Sequence, residues 1–353
     1  MDDQAVIRTY GNTNLPEGTE DRPLVTFALF AYNQEKYIRE AVEGAFSQTY
    51  SPLEIILSDD CSSDRTFEII EEMAREYQGP HLVKVRRGER NVGVIDHVIS
   101  VARLSLGELL VVAAGDDYSF ANRVEKLTEL WAKSSADALY SGSTDIDDTG
   151  NVILKENIPE PLDRVQKLFE NCVTPIRYNG KIRNIPGYSA AYARGVFEGL
   201  PLTNRGIHNE DALTTYVINL KGGKIDFCRC ALLARRISIT SISAVSDQRT
   251  IEAIKRNEVV IEMFSRSTRD FIDYFCNLPF LNESADAQEV RRRLSAEKDY
   301  YATVAGFWNL TLAQRFRATF KGGKITKFAL PRLFGKLPFF YLKLTFNRVR
   351  QGS

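Results

Sequence analysis

An α/β fold with a mostly parallel, doubly wound central sheet follows from three features of the sequence. Strand-like and helix-like segments alternate four times between Leu24 and Leu127, the pattern of a sheet built by crossover connections. The segments LVTFALF, LEIILS and LLVVAA are unbroken apolar runs, as expected of strands covered on both faces. Two of them end at paired carboxylates, Asp59–Asp60 and Asp116–Asp117, and the carboxyl edge of such a sheet is where ligands bind.

Taken in order, ordered structure is expected from Pro23, after a polar, acidic and flexible segment over 1–22. Leu24 to Phe30 reads as the first strand. The helix after it carries Ile38, Ala41, Val42, Ala45 and Phe46 at helical spacing. LEIILS is the second strand, and DDCSSDRT leads from it into a helix bearing Phe67, Ile69, Ile70 and Met73, with Ser63 or Asp64 as its N-cap. HLVKVRR alternates and makes a third strand, followed by the helix NVGVIDHVISVARLS. Leu109 to Ala114 is the fourth strand, with a helix starting near Asn122. Beyond Trp131 the chain is irregular. ADALYSGSTDID suggests a strand and a turn at Asp147–Gly150, PLDRVQKLFENCV a helix, and Ser189 to Tyr192 another strand.

Adjacent charges at the mouth of an apolar strand are costly unless solvated or neutralised. A hard divalent cation carrying a diphosphate would neutralise Asp116 and Asp117. The alternative is a plain turn that caps the next helix.

Charge is unevenly spread. The chain has 46 cations and 46 acids, yet no Asp or Glu follows Asp299, while ten cations do, from Arg315 to Arg350. An acidic body therefore carries a basic tail. Five cysteines are odd in number and lack paired C-x-x-C spacing, which predicts free thiols. The N-terminus has no basic start followed by an apolar core, and no apolar run is long enough to cross a bilayer. A cytoplasmic protein is expected.

The ordered series VTFALFAYNQEKYIREAVEGAFSQTY, LEIILSDDCSSDRT, RNVGVIDH and GELLVVAAGDDYS resembles the family 2 glycosyltransferases, whose catalytic domain has the GT-A fold. The resemblance covers Leu24 to Leu127 and continues more faintly to Ser243. It implies that Ala31, Tyr32, Asn33 and Glu35 surround a nucleobase, with Asp59 or Asp60 accepting from its N–H. It sets Arg90 and Asn91 near the diphosphate, and Asp116 with Asp117 in place of the family's metal-binding D-x-D, with Mg²⁺ or Mn²⁺ as cofactor. Departures are visible. Cys61 stands where the family usually has Gly, so a less tightly turned backbone is expected there. Ala114 replaces the first acid of D-x-D.

Gly187, Tyr188 and Ser189 fall where the family lines its acceptor pocket; a turn feeding a core strand is the other reading. IHNEDALTTYVINLKGG is a helix with Glu210 and Asp211 in its first turn, a position the helix dipole favours for acids. The resemblance makes Asp211 the general base, with Glu210 as the second choice for that role and as a hydrogen-bond partner. His208 is a candidate for touching substrate, whereas His81 and His97 read as structural. The family's Arg-x-His pattern is broken here, since Ser238 stands where the His would be. Arg235 or Arg236 is left to supply charge to the diphosphate. The absence of Q-x-x-R-W points to single-sugar transfer. The alternatives are a degenerate relative that binds a nucleotide sugar or glycan without turnover, and a nucleotidyltransferase, which would want a Gly-rich phosphate loop that AYNQEKY lacks.

The expected organisation is a catalytic domain over 23–245, with a nucleotide-sugar half at 23–127 and an acceptor half at 128–245, then a helical region over 246–353. The final stretch interleaves aromatics with cations and holds no acid. That suits an anionic membrane surface, where each Lys or Arg near the headgroups contributes roughly 1 kcal/mol; the other reading is that the aromatics pack on the catalytic body and the cations are its solvated face. The expected partners are thus a nucleotide-diphosphate sugar, a glycan or lipid-linked acceptor and the inner face of the plasma membrane; no nucleic-acid-binding module accompanies the charge. An oligomer is possible.

Overall fold

The structure is a computed structural model that describes residues 5–15, 17–158, 184–203, 207, 210–237, 251–283, 287–320, 325, 329–333 and 339. The chain divides into two compact units, Met1–Ile237 and Ser238–Ser353.

The first unit is built on one sheet. Its strands are β1 (Val6–Gly11), β2 (Val25–Ala31), β3 (Leu53–Asp59), β4 (Leu82–Arg87), β5 (Leu109–Ala114), β6 (Tyr118–Ser119), β7 (Ala138–Ile146), β8 (Val152–Asn157), β9 (Ala191–Ala193) and β10 (Ile225–Arg236). They lie in the order β1-β4-β3-β2-β5-β9-β7-β10-β6, with β8 paired to β7. The run β4-β3-β2-β5 is parallel throughout, in register Phe27 with Ile55 and with Val111. β10 runs parallel to β7, whereas β9 is antiparallel to both its neighbours.

The helices of this unit are α1 (Ile38–Phe46), α2 (Thr66–Glu76), α3 (Val94–Leu104), α4 (Arg123–Ser134) and α5 (Glu210–Leu220). Alternate residues of the parallel strands, Phe27, Leu29, Ile55, Leu57 and Val111 among them, form one core with Ile38 and Val42 of α1, Ile70 of α2, and Val124 and Leu127 of α4. Their neighbours Ala28 and Ile56 are just as buried. All seven residues of β3 are buried, which is why its sequence does not alternate. Glu54 is tolerated in that strand because Lys84 of β4 reaches its carboxylate at 2.6 Å and Thr26 donates to it at 2.5 Å. His97 is buried with Nε2 at 2.6 Å from Ser58 Oγ, and His81 Nε2 lies 2.9 Å from the Gln48 carbonyl. Burial holds both imidazoles below the ordinary histidine range, so both are structural.

Two elements depart from expectation. Ordered structure begins before Pro23, because VIRTYG forms β1 and pairs antiparallel with β4 from Val6–Arg87 to Gly11–Leu82. A solvent-facing edge strand needs no apolar run, which is what hid it. The same is true of β8, exposed along most of its length. The helix expected over 161–173 lies outside the described residues.

The second unit contains α6 (Ile251–Cys276) packed on α7 (Ala287–Gly306), and α8 (Leu312–Thr319). A buried ion pair joins Arg332 to Glu258 at 2.9 and 2.5 Å. No helix among the described residues is long and apolar enough to cross a membrane.

Candidate active site

Three loops meet at the carboxyl edge of β2, β3 and β4. The loop after β2 and the loop after β3 are laced together. Asn33, Gln34 and Glu35 donate their backbone N–H groups to Ser62 Oγ (2.8 Å), Thr66 Oγ1 (2.7 Å) and Asp64 Oδ2 (3.1 Å). In return Ser63 N–H donates to Asn33 Oδ1 (2.8 Å) and Arg65 N–H to Glu35 Oε2 (3.0 Å). Helix α2 begins after Arg65, and the Asp64 carboxylate accepts the Thr66 N–H at 3.0 Å.

Asp59 is fully buried and accepts from the Ser62 N–H (2.9 Å) and hydroxyl. Asp60 accepts from the N–H groups of Val92 and Gly93, each at 3.0 Å. That pins the third loop, on which Arg90 and Asn91 are exposed. Burial pushes both carboxyls above the ordinary aspartate range. Of the residues expected around a base, Ala31 is buried and Tyr32 is exposed on the loop. Cys61 overturns one expectation, since it adopts φ +62°. The backbone makes the left-handed turn that glycine would favour, despite carrying a Cβ.

At the end of β5 the backbone turns through Gly115, and the Asp117 N–H returns to the Ala114 carbonyl at 3.2 Å. Asp117 is buried, and its Oδ1 accepts the Arg236 N–H at 2.8 Å. Asp116 is part exposed. Burial, then the charge of Asp116, pushes the Asp117 carboxyl up to about 8; burial also raises Asp116. A cation would relieve that cost. Two hard carboxylates from one turn suit a divalent ion that takes its other oxygens from phosphate and water. No cluster of three acidic, His or Cys ligands occurs among the described residues. The site therefore fits a metal shared with a substrate better than an all-protein cage.

Arg235 and Arg236 do not stand open to a diphosphate. Arg235 makes a two-point contact with Asp145, at 3.0 and 2.6 Å, and lies over the Tyr188 ring at 4.7 Å. Arg236 is buried and donates to the Asp116 carbonyl (3.1 Å), the Asp147 carbonyl (3.0 Å) and Glu40 (2.6 Å). Both guanidiniums thus hold the carboxylate turn and its surroundings in place.

Glu210 and Asp211 open α5, both half-buried. Asp211 Oδ1 accepts the Ala212 N–H at 2.7 Å, and Asn184 Nδ2 lies 3.4 Å from Oδ2. Gly187 lies so close that a methyl group on it would meet Glu210 Oε1 at 2.5 Å. The segment Gly187–Ser189, a 3-10 turn, is also tied to both flanks of the Asp116–Asp117 turn, because Arg123 donates to the Tyr188 carbonyl (3.2 Å), the Val112 carbonyl (2.6 Å) and Ser119 Oγ (2.8 Å). Ser189 is fully buried, with its hydroxyl on the Pro186 carbonyl at 3.3 Å. It belongs to the core and not to an acceptor surface, the turn reading of this stretch. His208 lies outside the described residues.

Residues 26–200 match the model of glycosyl transferase family 2. The chain belongs to glycosyl transferase family 2 through this segment. An uncharacterised protein of Mycobacterium tuberculosis is 43% identical over 89 residues, 25% of this chain and 25% of that protein. The chain thus spans about a quarter of the length of that relative. The glycosyltransferase GlyG of Streptococcus pneumoniae is 24% identical over 254 residues, 70% of this chain and 81% of its own. Among solved structures, residues 1–349 of S. aureus TarS in complex with UDP superpose with a TM-score of 0.50 at 16% identity, over 93% of this chain and 92% of that one. The likeness is one of fold, and the fold is GT-A.

The structure adds residues that the sequence did not single out. Arg123 is fully buried, and its charge acts on Asp117; its signal was an arginine in the first turn of a helix whose neighbours Val124 and Leu127 are core. Asn184 sits beside Asp211 but came from an irregular stretch with no periodicity to read. Asp145 and Glu40, the partners of Arg235 and Arg236, carried no local signal.

Burial raises both acids of the α5 pair, Glu210 to about 8 with the charge of Asp211 as the second cause. Hydrogen bonds from Ala212 and Asn184 favour the charged form of Asp211. Burial thus disfavours charge on both acids, which titrate as one pair, and the bonds from Ala212 and Asn184 favour charge on Asp211.

Proposed function

We propose that this chain is an inverting glycosyltransferase that moves a single sugar from a nucleotide-diphosphate sugar to an acceptor hydroxyl. The observation that carries the reading is that one segment, Asn184 to Ser189, meets the Glu210–Asp211 pair directly and is tied through Arg123 to both flanks of the Asp116–Asp117 turn, at Val112 and Ser119. It meets Glu210 and Asp211 through Gly187 and Asn184. A leaving-group site and a base site on a shared brace are what transfer with inversion needs.

In the proposed reaction Asp211 takes the proton of the acceptor hydroxyl. The acceptor oxygen bonds to the anomeric carbon as the bond from that carbon to the diphosphate oxygen breaks, and the diphosphate leaves with the electron pair. Glu210 keeps its proton and orients Asp211. Asp116 and Asp117 would hold Mg²⁺ or Mn²⁺, which when bound offsets charge developing on the diphosphate. Tyr32, exposed on its loop, offers a face for the base, with Ala31, Asn33, Glu35, Asp59 and Asp60 shaping the pocket. Arg90 and Asn91, exposed on the loop after β4, are assigned to the phosphates. Tyr188 and Gly187 line the acceptor side.

Catalysis is assigned to 23–245, and the acid-free C-terminal stretch to an anionic membrane surface, except for Arg332, Leu333 and Phe339, which are buried within their own unit, Arg332 on Glu258 and Phe339 against Ile254. A lipid-linked or surface-polysaccharide acceptor suits that location.

The test is a melting-temperature panel of UDP, GDP, dTDP, CMP and their sugars with Mn²⁺, Mg²⁺ or EDTA, followed by turnover with the sugar that responds. One nucleotide should stand out with metal and lose its effect in Asp117→Ala. Ligands that bind only the native state raise its stability by mass action. No response to any nucleotide under any metal condition sinks the proposal. Binding without turnover favours the degenerate relative.

A further inference from the structure

Helix α8 carries an apolar stripe that the fold does not use. Leu312, Phe316 and Phe320 follow one another at i, i+4 and i+8, so they line one side of the helix and its C-terminal end. They are 57%, 43% and 72% exposed. The opposite side is spent on the unit's own packing, where Ala318 joins Phe307 and Ala329 in a small core. The exposed stripe is ordered. Thr311 and Gln314 form a reciprocal capping box at the helix start, and the Phe316 and Phe320 rings stand 5.7 Å apart.

Charge identifies what the stripe meets. Arg317 is exposed on the same helix. Lys321, Lys324 and Lys327 follow in sequence, and no acid occurs after Asp299. Aromatic and aliphatic side chains flanked only by cations complement a surface that is apolar beneath and anionic on top. None of Leu312, Phe316 and Phe320 offers a directional hydrogen bond, which favours a fluid surface over a shaped protein partner.

We propose that α8 is a membrane-insertion element, lowering Leu312, Phe316 and Phe320 into the headgroup boundary of an anionic bilayer. The inference deepens the membrane part of the proposed function and is independent of the transfer chemistry. It moves the anchoring contact from diffuse tail charge to one short helix, with the cations serving attraction and the stripe serving retention. Such a contact has two separable signatures: charge is screened by salt, whereas burial of the rings is not.

The experiment is co-sedimentation of the full chain with sucrose-loaded vesicles of phosphatidylcholine, with or without phosphatidylglycerol. The wild type should pellet with the anionic vesicles only, and part of the bound protein should resist a high-salt wash. Phe316→Ser/Phe320→Ser should lower partitioning by about tenfold or more and abolish the salt-resistant fraction, while the melting temperature and the nucleotide response stay as in the wild type. Should the double variant melt early, Phe320→Ser alone decides, because that side chain is the most exposed of the three. Equal binding by wild type and stripe variant, all of it released by salt, overturns the insertion role and leaves the tail's charge as the anchor. No vesicle binding by the wild type overturns the membrane assignment altogether and leaves the transferase reading to its own assay. Loss of a dimer in the stripe variant, without loss of vesicle binding, shows that a second copy covers the stripe.

Discussion

Gly187 and Glu210 touch so closely that no side chain fits between them: a methyl group at Gly187 would come to 2.5 Å from Glu210 Oε1. The acceptor-side turn and the acidic start of α5 are therefore one packing unit, although 23 positions separate them in the sequence. Gly187→Ala must displace the Glu210 carboxylate and, with it, the orientation of Asp211. The expected result is a fall in kcat of about tenfold to a hundredfold, the scale of a misplacement near 1 Å, with a loss of about 1–3 kcal/mol of stability from overpacking. Steady-state kinetics and thermal melts check it.

Asp211→Asn removes the proposed base while keeping the shape of the side chain. Turnover should fall by about 10²–10⁴-fold, the range for a positioned general base, with the nucleotide-induced rise in melting temperature unchanged. In the wild type the acid limb of the rate profile should lie above the ordinary aspartate range, because burial raises Asp211. Unchanged turnover in the variant would remove Asp211 from the mechanism.

Glu210 sets a pH dependence of stability. Its carboxyl is raised to about 8 in the folded chain from about 4.3 when unfolded, so the folded state binds the proton more tightly. Stability from this group is complete below the unfolded value and is lost as pH climbs through about 8. Glu210→Gln keeps the hydrogen-bonding shape without the ionisation. It should therefore melt higher than the wild type at pH 9, relative to the difference between the two at pH 5. Melting curves across that range measure the crossover, and parallel curves would contradict it.

Cys61 holds φ +62°, a conformation that strains any residue with a Cβ. Cys61→Gly should stabilise the chain by about 1 kcal/mol, the relief of left-handed strain less the added freedom of glycine when unfolded. Chemical denaturation reads it directly, as a higher midpoint with an unchanged slope.

Strands β2, β3 and β5 and helices α1 to α4 were legible because burial on both sides leaves unbroken apolar runs and burial on one side leaves helical spacing. β1 and β8 were not legible, since an edge strand facing water is held by backbone pairing that any composition can supply. The carboxylate pairs could be read from their place at strand and helix ends. What surrounds them could not. Arg235 and Arg236 look in sequence like cations awaiting an anion, but their partners Asp145 and Glu40 lie 90 and 196 positions away. Ser189 looked like an acceptor contact until the fold buried it, because a small polar residue after a glycine is equally at home in a turn.

The loops after β2 and β3 donate to each other, and Asp60 fastens the loop after β4 to them. Their order is settled when the chain folds and not when a ligand arrives. Association at these loops should then behave as a collision with a finished surface, its observed rate rising in proportion to nucleotide concentration without a plateau. Little of the binding free energy is consumed in ordering this backbone, which leaves more of it for the transition state at the other end of the site.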